Sequence, residues 1–189
     1  MSIGNVEIVD FDTAALPKGL LSLAKSHLRV RWTDDDDYIT NAIGRAIAWF
    51  EAGSGVTVNG ATFKWSPVAS DFCNGLAKLP ETPVALDGWT VTTGDDDNPT
   101  DISASYSVTT LATKGVGIYA LEGAFVSGMA VTFDSGYWSV SELPAGILNI
   151  LLLYTAHLFE NREILVPGAQ ASTPGWMTDV FAPYWVPRV

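Results

Sequence analysis

The stretch "ILNILLLYTAHLFENRE", Ile147 to Glu163, decides how this chain folds. It is apolar on nearly every side for about three turns and then becomes abruptly charged. A helix on the surface of a small domain normally keeps one face in water. A rod this apolar therefore needs cover around most of its circumference, either from elsewhere in the chain or from another chain. Just upstream, "SVSELPAG" offers Ser141 as an N-cap and Pro144 in the first turn. The predicted helix runs to about Arg162, with Glu142 near its positive end and Arg162 near its negative end.

Cover within the chain is found near the N-terminus. From Pro17 to Val30, Leu20, Leu21, Ala24 and Leu28 fall close to helical spacing, with Pro17 suited to a first turn. In "WTDDDDYITNAIGRAIAWFEAGSG", Ile39, Ala42, Ile43, Ala46, Ile47 and Phe50 recur at three and four, and Gly53 and Gly55 punctuate the end. These predict two amphipathic helices, the second stronger than the first.

Between Gly55 and Tyr137 the period changes. Short segments rich in Val, Thr, Tyr and Trp ("VTVNGATFKW", "GWTVTT", "SYSVTTL", "GIYALEG", "MAVTFDSGYW") alternate with Gly, Pro, Asn and Asp breaks, as antiparallel strands and hairpins do. Asn59-Gly60 is the pair that favours a tight type I′ turn. After "ILVPGAQASTPGW", Pro167, Pro174, Pro183 and Pro187 forbid a long helix, so the aromatic tail reads as an extended arm that docks somewhere. The expected class is α+β: a core of about three helices from the outer thirds of the sequence, an inserted antiparallel β domain and an extended C-terminal arm. The divisions are 1–54 for the N-terminal helical part, 55–140 for the β-rich insertion, 141–165 for the last core helix and 166–189 for the arm.

Composition narrows the function. With 189 residues, 48% of them hydrophobic and 16% charged, the chain is long enough for one compact core with an insertion and far from the disordered regime. Its formal charge of −11 leaves few cations to neutralise phosphates, which argues against gripping nucleic acid or anionic lipid. Cys73 is the only cysteine, so an internal disulfide is excluded and a thiolate zinc site disfavoured. The start "MSIGNVEIVDFD" has no basic, then apolar, leader pattern, and the run from Leu143 to Phe159 is short of the roughly 20 residues that span a bilayer. The reading is a soluble protein made in the cytoplasm.

Candidate chemistry is sparse. The four carboxylates Asp34 to Asp37 invite a hard cation, yet consecutive helical residues diverge by about 100° and acids in a first turn answer the helix dipole. "GDDDNPTD" places Pro99 where a calcium loop wants a ligand and reads as a polar hairpin loop. "GVGIYA" has dinucleotide-fingerprint spacing, but strand-like residues follow Gly117 and no βαβ unit surrounds it. His27 and His157, the only histidines, lie on apolar helices without a nucleophile elbow, and His157 is placed to pair with Glu160 along its helix. No catalytic residue, metal site or cofactor is expected. Seven tryptophans raise one binding-module reading, a β-rich carbohydrate-binding module of a tail or surface protein. The plainer account puts Trp49 and Trp138 in the core and uses Trp176 and Trp185 as anchors between subunits.

The order of pieces carries a resemblance. "HLRV" followed by the acidic helix start Asp34 to Asp37, "AIAWFE" closing that helix, "LLLYTAHLFENRE" in the last helix and the ending "FAPYWVPRV" together resemble the head-tail connector (adaptor, or head-completion) family of long-tailed bacteriophages and gene transfer agents. The resemblance implies a non-enzymatic virion protein at the head-tail junction, assembled as a ring of twelve copies beneath the portal. Double-stranded DNA would pass through its channel without specific binding, a tail-side connector or terminator would dock below, and no membrane is involved. It also implies that Leu151, Leu152, Tyr154, His157 and Phe159 meet a neighbouring subunit, while Trp176, Phe181, Tyr184, Trp185 and Arg188 of the arm reach the portal. The β-rich middle exceeds the minimal helical version of that family and implies an insertion on the ring's periphery or tail-facing side.

Overall fold

The computed structural model describes residues 4–10, 16–94, 98–114, 116–161 and 183–184. It divides into two compact units: one of strands, from residues 4–10 and 60–136, and one of helices, from residues 16–59, 137–161 and 183–184.

In the helical unit, α1 spans Leu20–Leu28, α2 Asp36–Ser54 and α3 Ala145–Glu160. The period read from the sequence is the buried face: Ile39, Ala42, Ile43, Ala46, Ile47 and Phe50 of α2 are at most 3% exposed, with Leu20 and Ala24 of α1 beside them. Burying each large apolar side chain contributes about 1.5–3 kcal/mol. The end of α2 is fixed several times over. Gly55 is left-handed at φ 76° and donates to the Glu51 carbonyl, as an αL cap does. Ser54 Oγ donates to the Phe50 carbonyl at 2.7 Å, and the Glu51 carboxylate accepts from the N–H groups of Val58 and Asn59 at 2.7 and 3.3 Å.

α3 turns Ile147, Ile150, Leu151, Thr155 and Leu158 inward. Tyr38, near the start of α2, donates its hydroxyl to the Leu158 carbonyl at 3.0 Å and packs on Phe159, while Trp49, near the end of α2, packs on Tyr154. The two helices therefore run in opposite directions. α3 begins later than the sequence suggests: its N-cap is Pro144, without a side-chain cap, so Ser141 does not fill that role. Glu142 instead binds Trp138 N and Ser139 Oγ at 3.0 and 2.9 Å, closing a turn ahead of the helix.

The β unit holds two antiparallel sheets. The first has order β1 (Asn5–Asp10), β2 (Ala61–Ser66), β9 (Met129–Ser135), β5 (Thr90–Thr93) and β6 (Thr100–Asp101). The second has order β3 (Phe72–Cys73), β4 (Leu76–Lys78), β8 (Val116–Glu122) and β7 (Ser107–Lys114). Period-2 alternation sends Ala61, Phe63 and Trp65 of β2 and Met129, Val131 and Phe133 of β9 to one side. There they join Ala77 and Leu121 of the second sheet in one cluster. Phe63 and Phe133 are direct cross-strand partners, stacked with centroids 5.9 Å apart.

Two sequence expectations change here. Residues 5–10, grouped with the helical part by the reading of 1–54, form an edge strand paired with β2, because "VEIV" finds a ladder in the β unit. Asn59-Gly60 does not make a hairpin turn: neither residue has the positive φ a type I′ turn needs. Asn59 instead bridges Tyr137 in parallel, and Tyr137 N donates to the Val58 carbonyl at 2.9 Å, so the chain leaves and re-enters the helical unit side by side.

Candidate functional site

Among the described residues, no group of three or more His, Cys, Asp or Glu side chains is placed to hold a metal ion. Asp36, in the middle of the acidic run, is instead salt-bridged to Lys25 of α1 and ties the two helices together. Titration is perturbed at scattered places in the β unit. Burial lowers the Lys78 pKa and raises that of Tyr106, while the Ser103 hydroxyl and N–H lower that of Asp101. The candidate site is accordingly a set of surfaces on the helical unit.

The first is the outer side of α3. The inward stripe leaves Asn149, Leu153 and Glu160 exposed, with Leu153 39% accessible. Of the residues expected to meet a neighbour, Leu151 is 1% exposed, held in its own chain's core, whereas Leu152, Tyr154, His157 and Phe159 are half-buried. Tyr154 belongs to an aromatic row with Trp49, whose ring centroid lies 4.3 Å away, and with His157, whose ring lies 6.2 Å away and nearly parallel. His157 Nδ1 is 3.2 Å from Asn161 Nδ2, so its local partner is one turn onward at Asn161 rather than Glu160. Trp49 thus belongs to this row, and Trp138, read as core, is 50% exposed.

The second is the arm. Trp176, Phe181, Trp185 and Arg188 lie outside the described residues. Tyr184 is described, and its ring meets Phe50 edge-on at 6.2 Å. Its hydroxyl occupies the space beside Gly146, where an added Cβ would come within 1.7 Å of it. Gly146 is therefore a socket, a role the sequence hid because a glycine in a helix's first turn carries no visible pattern.

The third surface is the α1–α2 loop. Arg29, Arg31 and Trp32 are exposed, Trp32 to 61%. An open groove of about 450 Å³ runs alongside, lined by Leu21, Ser22, Lys25, Ser26, Val30 and Asp36. The sequence showed the "HLRVRW" cluster but gave no sign that its cations stay clear of the carboxylates that follow.

The fold is α+β, a three-helix unit interrupted in sequence by a pair of antiparallel sheets. No protein-family model matches the chain, and no curated protein matches it. Solved structures do. Its fold is similar to a chain in the virion of a native gene transfer agent particle, at 19% identity over 97% of this chain and 96% of that one, with a TM-score of 0.69. It is similar to a chain in the neck of an empty gene transfer agent particle computed with C6 symmetry (19% identity, 98% and 97% coverage, TM-score 0.68). A chain in the neck of the native particle computed with C12 symmetry matches at 18% identity, 98% and 97% coverage and TM-score 0.68.

Proposed function

We propose that this chain is a structural, non-enzymatic neck protein of a phage-like particle: a head-tail adaptor that forms a ring of twelve copies under the portal, extends the DNA channel and offers the tail its attachment surface. The observation that carries this reading is the extent of the fold match. Nearly the whole chain, helical unit and β insertion alike, superposes on chains from particle necks, one of them computed with C12 symmetry. A carbohydrate-binding module would account for the strands and leave the helices without a purpose.

The half-buried row of Leu152, Tyr154, His157 and Phe159, together with Leu153, is the surface assigned to a neighbouring copy. Aromatic side chains of this kind concentrate binding energy at interfaces. Trp176, Phe181, Trp185 and Arg188 are assigned to the portal, with Arg188 pairing acidic groups there and Tyr184, seated on Phe50 and Gly146 of its own chain, anchoring the arm behind them. Net acidity suits a channel wall, because a surface that repels phosphate lets a duplex slide.

The test is assembly without the chain. Particles produced in its absence should carry portal-bearing heads and no tails by negative-stain microscopy, and tailed, DNA-filled particles of normal appearance would overturn the reading. Removing residues 176–189 should leave a folded protein that no longer loads onto portal-bearing heads. Loading by the shortened protein would overturn the arm's assignment alone.

A further inference from the structure

The α1–α2 loop has a feature that folding does not need. Arg29 is the C-terminal cap of α1 and sits in the left-handed region at φ 58°, its N–H directed at the Lys25 and Ser26 carbonyls. That position favours glycine or asparagine, since a Cβ there crowds the backbone. Backbone strain retained at a surface residue points to a use for its side chain.

Its surroundings point the same way. Lys25, Arg29 and Arg31 are three of the chain's 10 Lys and Arg side chains, gathered within seven residues. Lys25 is spent on Asp36, but among the described residues neither guanidinium has an ion-pair partner, although Asp34 to Asp37 follow directly. Beside them Trp32 leaves 61% of its surface in water. Val30 opens onto the apolar wall of the adjoining groove, with Leu21. Exposed Arg and Trp around a partly apolar groove is the composition of a protein-protein anchor. Two free cations are too few for a duplex, whose grip requires neutralising many phosphates, and the chain's charge of −11 opposes it.

We infer that the loop, through Arg29, Arg31 and Trp32, docks on a carboxylate-bearing face of a second copy of this chain. Charge complementarity selects that partner. The same helical unit exposes Asp34, Asp37, Glu142 and Glu160, and copies of so acidic a chain repel one another unless a basic element of each meets an acidic one of the next. This deepens the ring reading and rests on it for the number of copies, though the contact itself is tested separately.

The experiment places a photo-crosslinker in the loop of the full-length chain, Trp32→p-benzoylphenylalanine, and irradiates both the purified protein at high concentration and the particle-producing cells. A covalent dimer of this chain in either sample is expected. The double variant Arg29→Glu, Arg31→Glu should reduce that dimer by about tenfold or more with an unchanged circular dichroism spectrum. Arg29→Gly separates function from folding: its thermal midpoint should hold or rise, because glycine suits the left-handed cap, while association falls. Cross-linking to a different protein, to DNA or to nothing in both samples would overturn the inference, as would normal association of Arg29→Gly. A dimer in solution with no copy of the chain in particles would leave this contact standing and sink the neck reading.

Discussion

The two units solve the problem of apolar surface in different ways. The strands close on themselves: Phe63, Trp65, Val131 and Phe133 from one sheet meet Ala77 and Leu121 from the other, and among the described residues the large apolar side chains left outside are the aliphatic Ile8, Val9, Leu86 and Val126. Among the described residues the helices leave Trp32, Trp138 and Leu153 exposed, with Trp49, Tyr154 and His157 forming a half-buried row. Tryptophan contributes heavily to binding energy where it is found at interfaces, and exposed aliphatics seldom do. The comparison makes the β unit the better closed of the two and leaves the exposed aromatic surface on the helical one, where the proposed assembly would use it.

The most severe way to break that contrast is to empty the β core. Phe133→Ala removes a ring that is 0% exposed and should cost about 3–5 kcal/mol, read as a shift of the urea midpoint. A cost below about 1 kcal/mol would mean the sheets are not closed around it. Next, Tyr154→Ala deletes the centre of the aromatic row. It should lower stability by about 1–2 kcal/mol, the stacking loss plus part of a half-buried ring, yet reduce association far more, measured by mass photometry beside the thermal midpoint. Equal effects on both would make the row merely structural.

A smaller effect sharpens the picture of the arm. Gly146→Ala removes a poor helix former, a gain of up to about 1 kcal/mol, but its methyl group takes the place of the Tyr184 hydroxyl. The expected outcome is a helix no less stable with faster proteolysis near Tyr184, and unchanged proteolysis would dissolve the socket. The slightest effect is electrostatic. Ser103 hydrogen bonds hold Asp101 below its ordinary pKa, so the carboxylate's contribution is present above the unfolded value near 3.9 and fades as pH falls through the lower folded value. Asp101→Asn should flatten the acid limb of stability slightly below about pH 4 and leave the neutral region unchanged.

The helices were legible because burial writes a period into the sequence. Ile39 to Phe50 gave the inward face of α2 residue by residue. α3 was legible as a helix but not as a surface: a rod apolar all round does not say which side is inward, and the structure turns Leu151 inward and leaves Leu153 outside. The strand Asn5–Asp10 escaped notice because "NVEIVD" pairs with Ala61–Ser66, a partner some fifty residues away that no local pattern announces. Asn59-Gly60 misled for the opposite reason, a strong local turn signal overridden by the pairing of Asn59 with Tyr137. Arg29 and Gly146 could not be read at all, since a left-handed cap and a socket are properties of the backbone path and of what passes over it.

The bridge between Asn59 and Tyr137 has a consequence for engineering and for descent. With departure and return points adjacent, a short linker spanning 59 to 137 should let the three helices persist without the sheets, or with another module grafted at the same stem. The excision has one obligation, set by the strand Asn5–Asp10: the first residues must be trimmed along with the sheets, or they will dangle as an orphaned ribbon with an unsatisfied edge and invite aggregation.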